Sequence, residues 1–162
     1  GNLPYNISTE ILSKWIINLK DKFWFYFLIL MFQKEVADRI IAKDNSNNYG
    51  RLSILSSWKL DAKKIMDISP NSFYPKPKVK SGLLEFVPKS NIYEINNSKS
   101  LEHITNVFFN LRRKMIKKPM KILFKEFEEV ANKLSLDLNL RPQNLSTLTY
   151  FKICKEYEKL LK

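Results

Sequence analysis

Apolar positions along the chain follow two rhythms. Ile7, Ile11, Leu12, Trp15, Ile16 and Leu19 share one broad face at helical spacing behind Ser8-Thr9-Glu10, which predicts a capped helix packed on a sheet. Beyond Lys20-Asp21-Lys22, the continuous aromatic and aliphatic run Phe23 to Phe32 suits a strand buried on both faces of a parallel sheet. Gln33 to Lys43 reads as a second helix, ended by the polar loop Asp44 to Asn48. Helix, strand, helix is the rhythm of an α/β protein. After Tyr49-Gly50-Arg51, the spacing of Leu52, Leu55 and Trp58 favours a helix. Ala62 to Ile68 reads as a strand, and the stretch Ser69 to Lys78 is a proline-stiffened loop that cannot continue a sheet interior. Val79 to Val87 reads as another strand, stopped by Pro88.

Strand-like runs then disappear. The polar segments Lys89-Ser90-Asn91 and Asn96-Asn97-Ser98 bracket a short link, which divides the chain into residues 1–90 and a helical part, 91–162. Ser100 is a candidate cap for a helix carrying Leu101, Ile104, Val107, Phe108, Leu111 and Met115, with Lys117-Lys118-Pro119 as its break. A brief basic helix from Lys121 to Phe127, a segment from Glu128 to Leu136 and a last helix from Thr147 to Leu161, capped by Ser146, complete the reading.

Composition narrows the partners. With 44% hydrophobic residues in 162, the chain can bury a core, and its formal charge of +12 favours a polyanion. Seven basic residues and no acidic one lie between Arg112 and Lys125. Dipole complementarity at a helix end explains one or two of these, and a phosphate-binding patch explains the rest. The single cysteine, Cys154, excludes an internal disulfide, and with one histidine, His103, no zinc cluster is expected. Cys154 reads as an apolar filler and His103 as a surface or half-buried helix residue. No leader pattern opens the sequence and the run Phe23 to Phe32 is too short for a bilayer, so a soluble cytoplasmic monomer is expected. The abrupt start at Gly1, directly before the most motif-like stretch, suggests a segment of a longer protein.

That stretch is Asn2-Leu3-Pro4-Tyr5. An amide oxygen can accept from an amino group and a tyrosine ring can stack on a flat heterocycle, so the cluster reads as a substrate clamp. The same residues also suit a strand-to-helix loop turned by Pro4 and capped by Ser8 or Thr9. Phe73 and Tyr74, set among prolines and lysines, either present an aromatic face to a base or tuck inward as a connection.

Taken together, Asn2-Leu3-Pro4-Tyr5-Asn6-Ile7-Ser8-Thr9, Gln33-Lys34-Glu35-Val36-Ala37-Asp38-Arg39-Ile40, Tyr49-Gly50-Arg51-Leu52-Ser53, Phe73-Tyr74-Pro75-Lys76-Pro77-Lys78-Val79 and Phe109-Asn110-Leu111-Arg112-Arg113-Lys114 resemble, in the right order, the ribosomal RNA adenine dimethyltransferases. The closest likeness is to the KsgA type that acts on small-subunit RNA. The resemblance implies the C-terminal part of a Rossmann-like methyltransferase domain followed by a small all-α RNA-binding domain. It also implies methyl transfer from S-adenosylmethionine to the exocyclic nitrogen of adenine during maturation of the small ribosomal subunit.

On this resemblance Asn2, Leu3, Pro4 and Tyr5 are the catalytic loop, and Asn2 and Pro4 also border the cofactor. The Asn2 oxygen and the Leu3 carbonyl would accept the two amino N–H bonds, while Tyr5 and Phe73 sandwich the flipped base. RNA contacts are expected from Lys34, Arg39, Arg51, Lys76, Lys78, Arg112, Arg113, Lys114, Lys117 and Lys118. Gly1, Gly50 and Gly82 form no glycine-rich cofactor loop, so the chain by itself is expected to be inactive, with an exposed sheet edge. Two alternatives stand beside this reading: a non-catalytic RNA-binding or ribosome-assembly module, and a relative acting on large-subunit RNA or in mitochondrial transcription.

Overall fold

A computed structural model describes residues 1–19 and 23–161; the Lys20-Asp21-Lys22 link and Lys162 lie outside the described residues. The order is α1 (Ser8–Asn18), β1 (Leu28–Gln33), α2 (Lys34–Ile40), α3 (Arg51–Lys59), β2 (Leu60–Ile68), β3 (Ser81–Pro88), α4 (Ser98–Asn110), α5 (Lys117–Leu123), α6 (Phe127–Lys133) and α7 (Thr147–Leu160). A mixed α/β part thus precedes an all-helical one.

The sheet corrects the expectation of a purely parallel arrangement. Its order is β1-β3-β2, and β3 runs antiparallel to both neighbours, leaving β1 and β2 parallel to each other. The run from Phe23 is not one long strand either. The β1 ladder begins at Leu28 opposite Phe86, and β3 ends two residues later at Pro88, which has no N–H to offer. Without a partner strand, Trp24 and Tyr26 stand in solvent at 71% and 93% exposure.

Alternation on β3 decides which face is covered. Gly82, Leu84 and Phe86 are buried, whereas Glu85 lies between Ile29 and Lys63 on the opposite face and pairs with Lys63 at 2.6 Å. Gly82 admits α2 to the sheet: a Cβ there would lie 2.7 Å from the Ala37 Cβ, closer than van der Waals contact allows. Beside this contact, Lys34 and Lys64 both reach Asp38 and Asp67, linking α2 to β2.

Capping differs from expectation at three helices. Ile7 precedes α1 with no side-chain cap, because the Ser8 hydroxyl turns back to donate to the Tyr5 carbonyl at 3.2 Å. Asn97, not Ser100, caps α4 by accepting from the Lys99 N–H at 3.0 Å, and Ser100 is buried one turn inside. Pro119 does not break a helix but sits in the first turn of α5, where an N–H has no helical partner to lose. Met115 falls in the turn between α4 and α5 and is exposed. Ser146 caps α7 as predicted, accepting from the Thr149 N–H at 3.2 Å.

Buried apolar side chains form one cluster running from Leu12 through Phe32, Tyr49 and Trp58 to Phe108, Tyr150 and Cys154. The link 91–97 is fastened at both ends. The Trp58 indole donates to the Tyr93 carbonyl at 2.9 Å, and buried Glu158 on α7 accepts from the Asn96 and Asn97 backbones and the Asn96 side chain at 2.7–3.0 Å.

Candidate functional site

Gly1 and Asn2 run parallel to β1 on the side away from β3, with Met31 N–H donating to the Gly1 carbonyl at 3.1 Å and an Asn2–Met31 bridge. The clamp residues therefore leave the carboxyl end of a strand-like segment, where parallel α/β sheets place their ligands. A turn follows at once, closed by Ile7 N–H to the Pro4 carbonyl at 3.2 Å.

This turn sorts the acceptors. The Pro4 carbonyl is taken by Ile7 and the Tyr5 carbonyl by Ser8. Among the described residues, no donor reaches the Asn2 side chain or the Leu3 carbonyl, so these two acceptors remain available. Tyr5 is half-buried and fixed at its far end, its hydroxyl 2.6 Å from Oγ of buried Ser81 at the start of β3.

An open cleft of about 420 Å³ is lined by Asn2, Leu3, Pro4, Tyr5, Met31, Phe73, Tyr74, Pro75 and Pro77. Folding thus brings the Asn2–Tyr5 loop and the distant proline loop to one place, with Phe73 half-buried and Tyr74 fully exposed. Among the described residues, no charged side chain lines this cleft. Amide and carbonyl oxygens without a competing cation suit both a neutral amino heterocycle and a positively charged sulfonium, so the residues present fit the methyl-bearing end of S-adenosylmethionine. Asn2 and Pro4 are the residues here that would border it.

The expected RNA contacts divide into groups. Arg39, Arg51 and Arg112 line a second cleft of about 550 Å³, between α1, α3 and α4, whose rim also carries Glu10 and Glu102. Arg112 is partly committed, donating to the Asn47 carbonyl at 2.5 Å, and Arg39 pairs with Glu35. Lys34 is held by Asp38 at 2.8 Å, so its charge is largely spent inside the fold. Arg113, Lys114, Lys117 and Lys118 are exposed around the α4–α5 turn, and Lys76 and Lys78 are exposed on the proline loop; none has an ion-pair partner among the described residues. Sequence reasoning missed Ser81 as the anchor of Tyr5 and Met31 as a cleft wall. Neither residue type carries a signal of its own, since only strand pairing places them there.

The two residues outside the site keep structural roles. His103 stacks on Tyr157 at 5.6 Å between ring centroids. Cys154 is buried, and that burial, with the Glu158 charge adding, pushes its thiol up to about 12.

Comparison with known proteins gives consistent matches. The family model described as ribosomal RNA adenine dimethylase matches residues 1–159. A ribosomal RNA small subunit methyltransferase A of Pelagibacter ubique (strain HTCC1062) is 63% identical over 160 residues, 99% of this chain and 61% of the relative. One of Ehrlichia ruminantium (strain Gardel) is 45% identical over 148 residues, 90% of this chain and 55% of the relative. The chain therefore spans roughly three fifths of the curated relatives it matches. Among solved structures, a dimethyladenosine transferase from Plasmodium falciparum superposes with a TM-score of 0.78 at 23% identity, covering 98% of this chain and 65% of that one. The 23S rRNA methyltransferase ErmE gives 0.64 at 15% identity, covering 98% and 64%. At these identities the structural matches establish a shared fold, that of part of a Rossmann-like methyltransferase domain with a helical extension.

Proposed function

The chain belongs to the ribosomal RNA adenine dimethylase family, and from that premise we propose that it supplies the adenine clamp and RNA-binding part of a small-subunit rRNA adenine dimethyltransferase. The observation that carries this reading is the pair of unspent acceptors, the Asn2 amide oxygen and the Leu3 carbonyl, on residues of the cleft that Tyr5 and Phe73 also line.

An adenine amino nitrogen is a poor nucleophile because its lone pair is delocalised into the ring. Two acceptors fixed on a proline-stiffened turn draw the N–H bonds toward themselves, favour a pyramidal nitrogen and stabilise positive charge developing on it. Tyr5 and Phe73 hold the extruded base between them, replacing the stacking it leaves behind. The Tyr5–Ser81 bond keeps one face of this sandwich in place before the base arrives. Bound S-adenosylmethionine supplies the methyl group. Asn2 and Pro4 would border the donor beside the amino group, and a strong general base is not required for the transfer itself.

Residues 1–90 act in this reading as the clamp-bearing part of the catalytic domain and 91–162 as a helical RNA-binding domain. Arg113, Lys114, Lys117 and Lys118 with Lys76 and Lys78 provide the unpaired positive surface, and Arg39, Arg51 and Arg112 line the cleft between the two parts. The substrate is small-subunit rRNA or its immature particle, in the cytoplasm, with the protein acting as a monomer.

The test is methyl transfer by a chimera in which this chain is joined to the portion of the Pelagibacter relative it does not cover. Dimethyladenosine in small-subunit RNA is expected from the chimera and not from the 162-residue chain alone. A chimera that folds and binds cofactor and RNA but leaves adenine unmodified would contradict the proposal and favour a non-catalytic RNA-binding module.

A further inference from the structure

One aromatic ring at the clamp cleft has no role in the sandwich. Tyr74 is fully exposed, at 101%, yet it borders the same cleft as Asn2, Tyr5 and Phe73. Phe73 has extended backbone, φ −128° and ψ 148°, so adjacent side chains leave the chain on opposite sides. Phe73 is half-buried and Tyr74 stands in water, so the two rings cannot cover the same face of one base.

The segment carrying Tyr74 is held by its own backbone. Ser72 and Phe73 donate to the Ser69 and Pro70 carbonyls at 3.1 and 3.3 Å, Asn71 donates to the Ser69 hydroxyl, and Pro75 and Pro77 fix φ immediately downstream. A ring mounted in this way loses little conformational freedom on stacking. Lys76, Lys78 and Lys80 follow it, all exposed and without ion-pair partners among the described residues. An aromatic face beside unpaired lysines is the arrangement that binds single-stranded nucleic acid, the ring taking a base and the ammonium groups its phosphates.

We propose that Tyr74 is a second stacking platform, which receives the nucleobase adjoining the adenine held between Tyr5 and Phe73. This rests on the clamp reading above and extends it to the recognition of a neighbour. Extruding one nucleotide exposes a face of the next base in the strand, and Tyr74 covers that face at the cleft rim. Stacking tolerates any base, so the contact positions the strand and favours a purine neighbour through its larger ring.

The probe is a short single-stranded RNA with one adenine among uridines, carrying either 8-vinyladenosine, which keeps the 6-amino group, in place of the adenine or 2-aminopurine at a position next to it, bound to the 162-residue chain. Stacking quenches the emission of both analogues. Both probes are expected to respond with the unaltered chain. Tyr74→Ala should abolish the response of the neighbouring probe, weaken RNA binding on the order of tenfold and leave the response at the adenine position. Tyr74→Trp should restore both, and Tyr74→Leu should not. A neighbouring signal that survives Tyr74→Ala, or that Tyr74→Leu retains as well as Tyr74→Trp does, overturns the proposal while the clamp reading stands. An unaltered chain that binds the RNA with no response at the adenine position overturns the clamp reading, and the second platform with it.

Discussion

At the scale of single residues, the decisive distinction is between polar atoms that are spent and those that are not. The carbonyls of Pro4 and Tyr5 are consumed in forming the turn, which leaves the Leu3 carbonyl and the Asn2 amide without a donor among the described residues, on two residues that line the cleft. Tyr49 is the contrasting case. Its hydroxyl is buried with no hydrogen-bond partner among the described residues, and burial, with the Asp44 charge adding, raises its pKa well above the ordinary tyrosine value. A buried hydroxyl with nothing to bond is a liability to the folded state. Tyr49→Phe should therefore leave stability unchanged or raise it by about 1 kcal/mol, as read from urea unfolding. A clear loss of stability would mean that the hydroxyl has a partner in solution. Asn2 and Tyr5 were legible in the sequence only as candidates, because an amide, a proline and an aromatic ring in that order suit amino-group chemistry and a strand-to-helix loop alike; the fold brings both to one cleft. Ser81 was not, because a serine at the start of a strand gains its role only when β3 is set opposite the Tyr5 loop.

At the scale of elements, α2 and β2 are joined by Asp38, which accepts from Lys34 at 2.8 Å and Lys64 at 2.5 Å. Partial burial pushes the Asp38 carboxyl up, and the bonds and charges of the two lysines outweigh that, so its pKa lies below the ordinary 3.8. A carboxyl with a depressed folded-state pKa contributes stability that is present above its unfolded value and is lost as pH falls through the folded one. The side chains are about a quarter to two fifths exposed, so solvent discounts the effect. Asp38→Asn should cost about 1 kcal/mol near neutral pH, and the difference from the unaltered chain should shrink below about pH 4, followed by urea unfolding across pH. A constant difference down to pH 2 or so would contradict this assignment. The long amphipathic helices α4 and α7 were legible from their periodicity, to within a few residues at the ends. The strand from Phe23 was not, since an apolar run does not reveal where its partner ends, and Pro88 stops that partner. Helix starts failed where several hydroxyl and amide residues competed for one cap, as with Asn97 and Ser100.

At the scale of the molecule, one continuous core joins the sheet to the helical part, while charge is distributed unevenly over its surface. Acidic partners occupy Lys34 and Arg39, but Arg113, Lys114, Lys117 and Lys118 stay exposed at the α4–α5 turn. Replacing Arg112, Arg113 and Lys114 together with glutamine should weaken RNA binding and lower the slope of log affinity against log salt by about 2; an unchanged slope would remove this surface from the interface. On this reading the Asn2 loop acts on the amino group in the transition state and not by holding RNA. Single-turnover methyl transfer and RNA affinity, measured on the same Asn2→Ala chimera, separate these directly. The transfer rate is expected to fall by a factor on the order of a hundred or more with RNA affinity unchanged. A rate that survives the substitution, or a loss fully explained by weaker RNA binding, would contradict it.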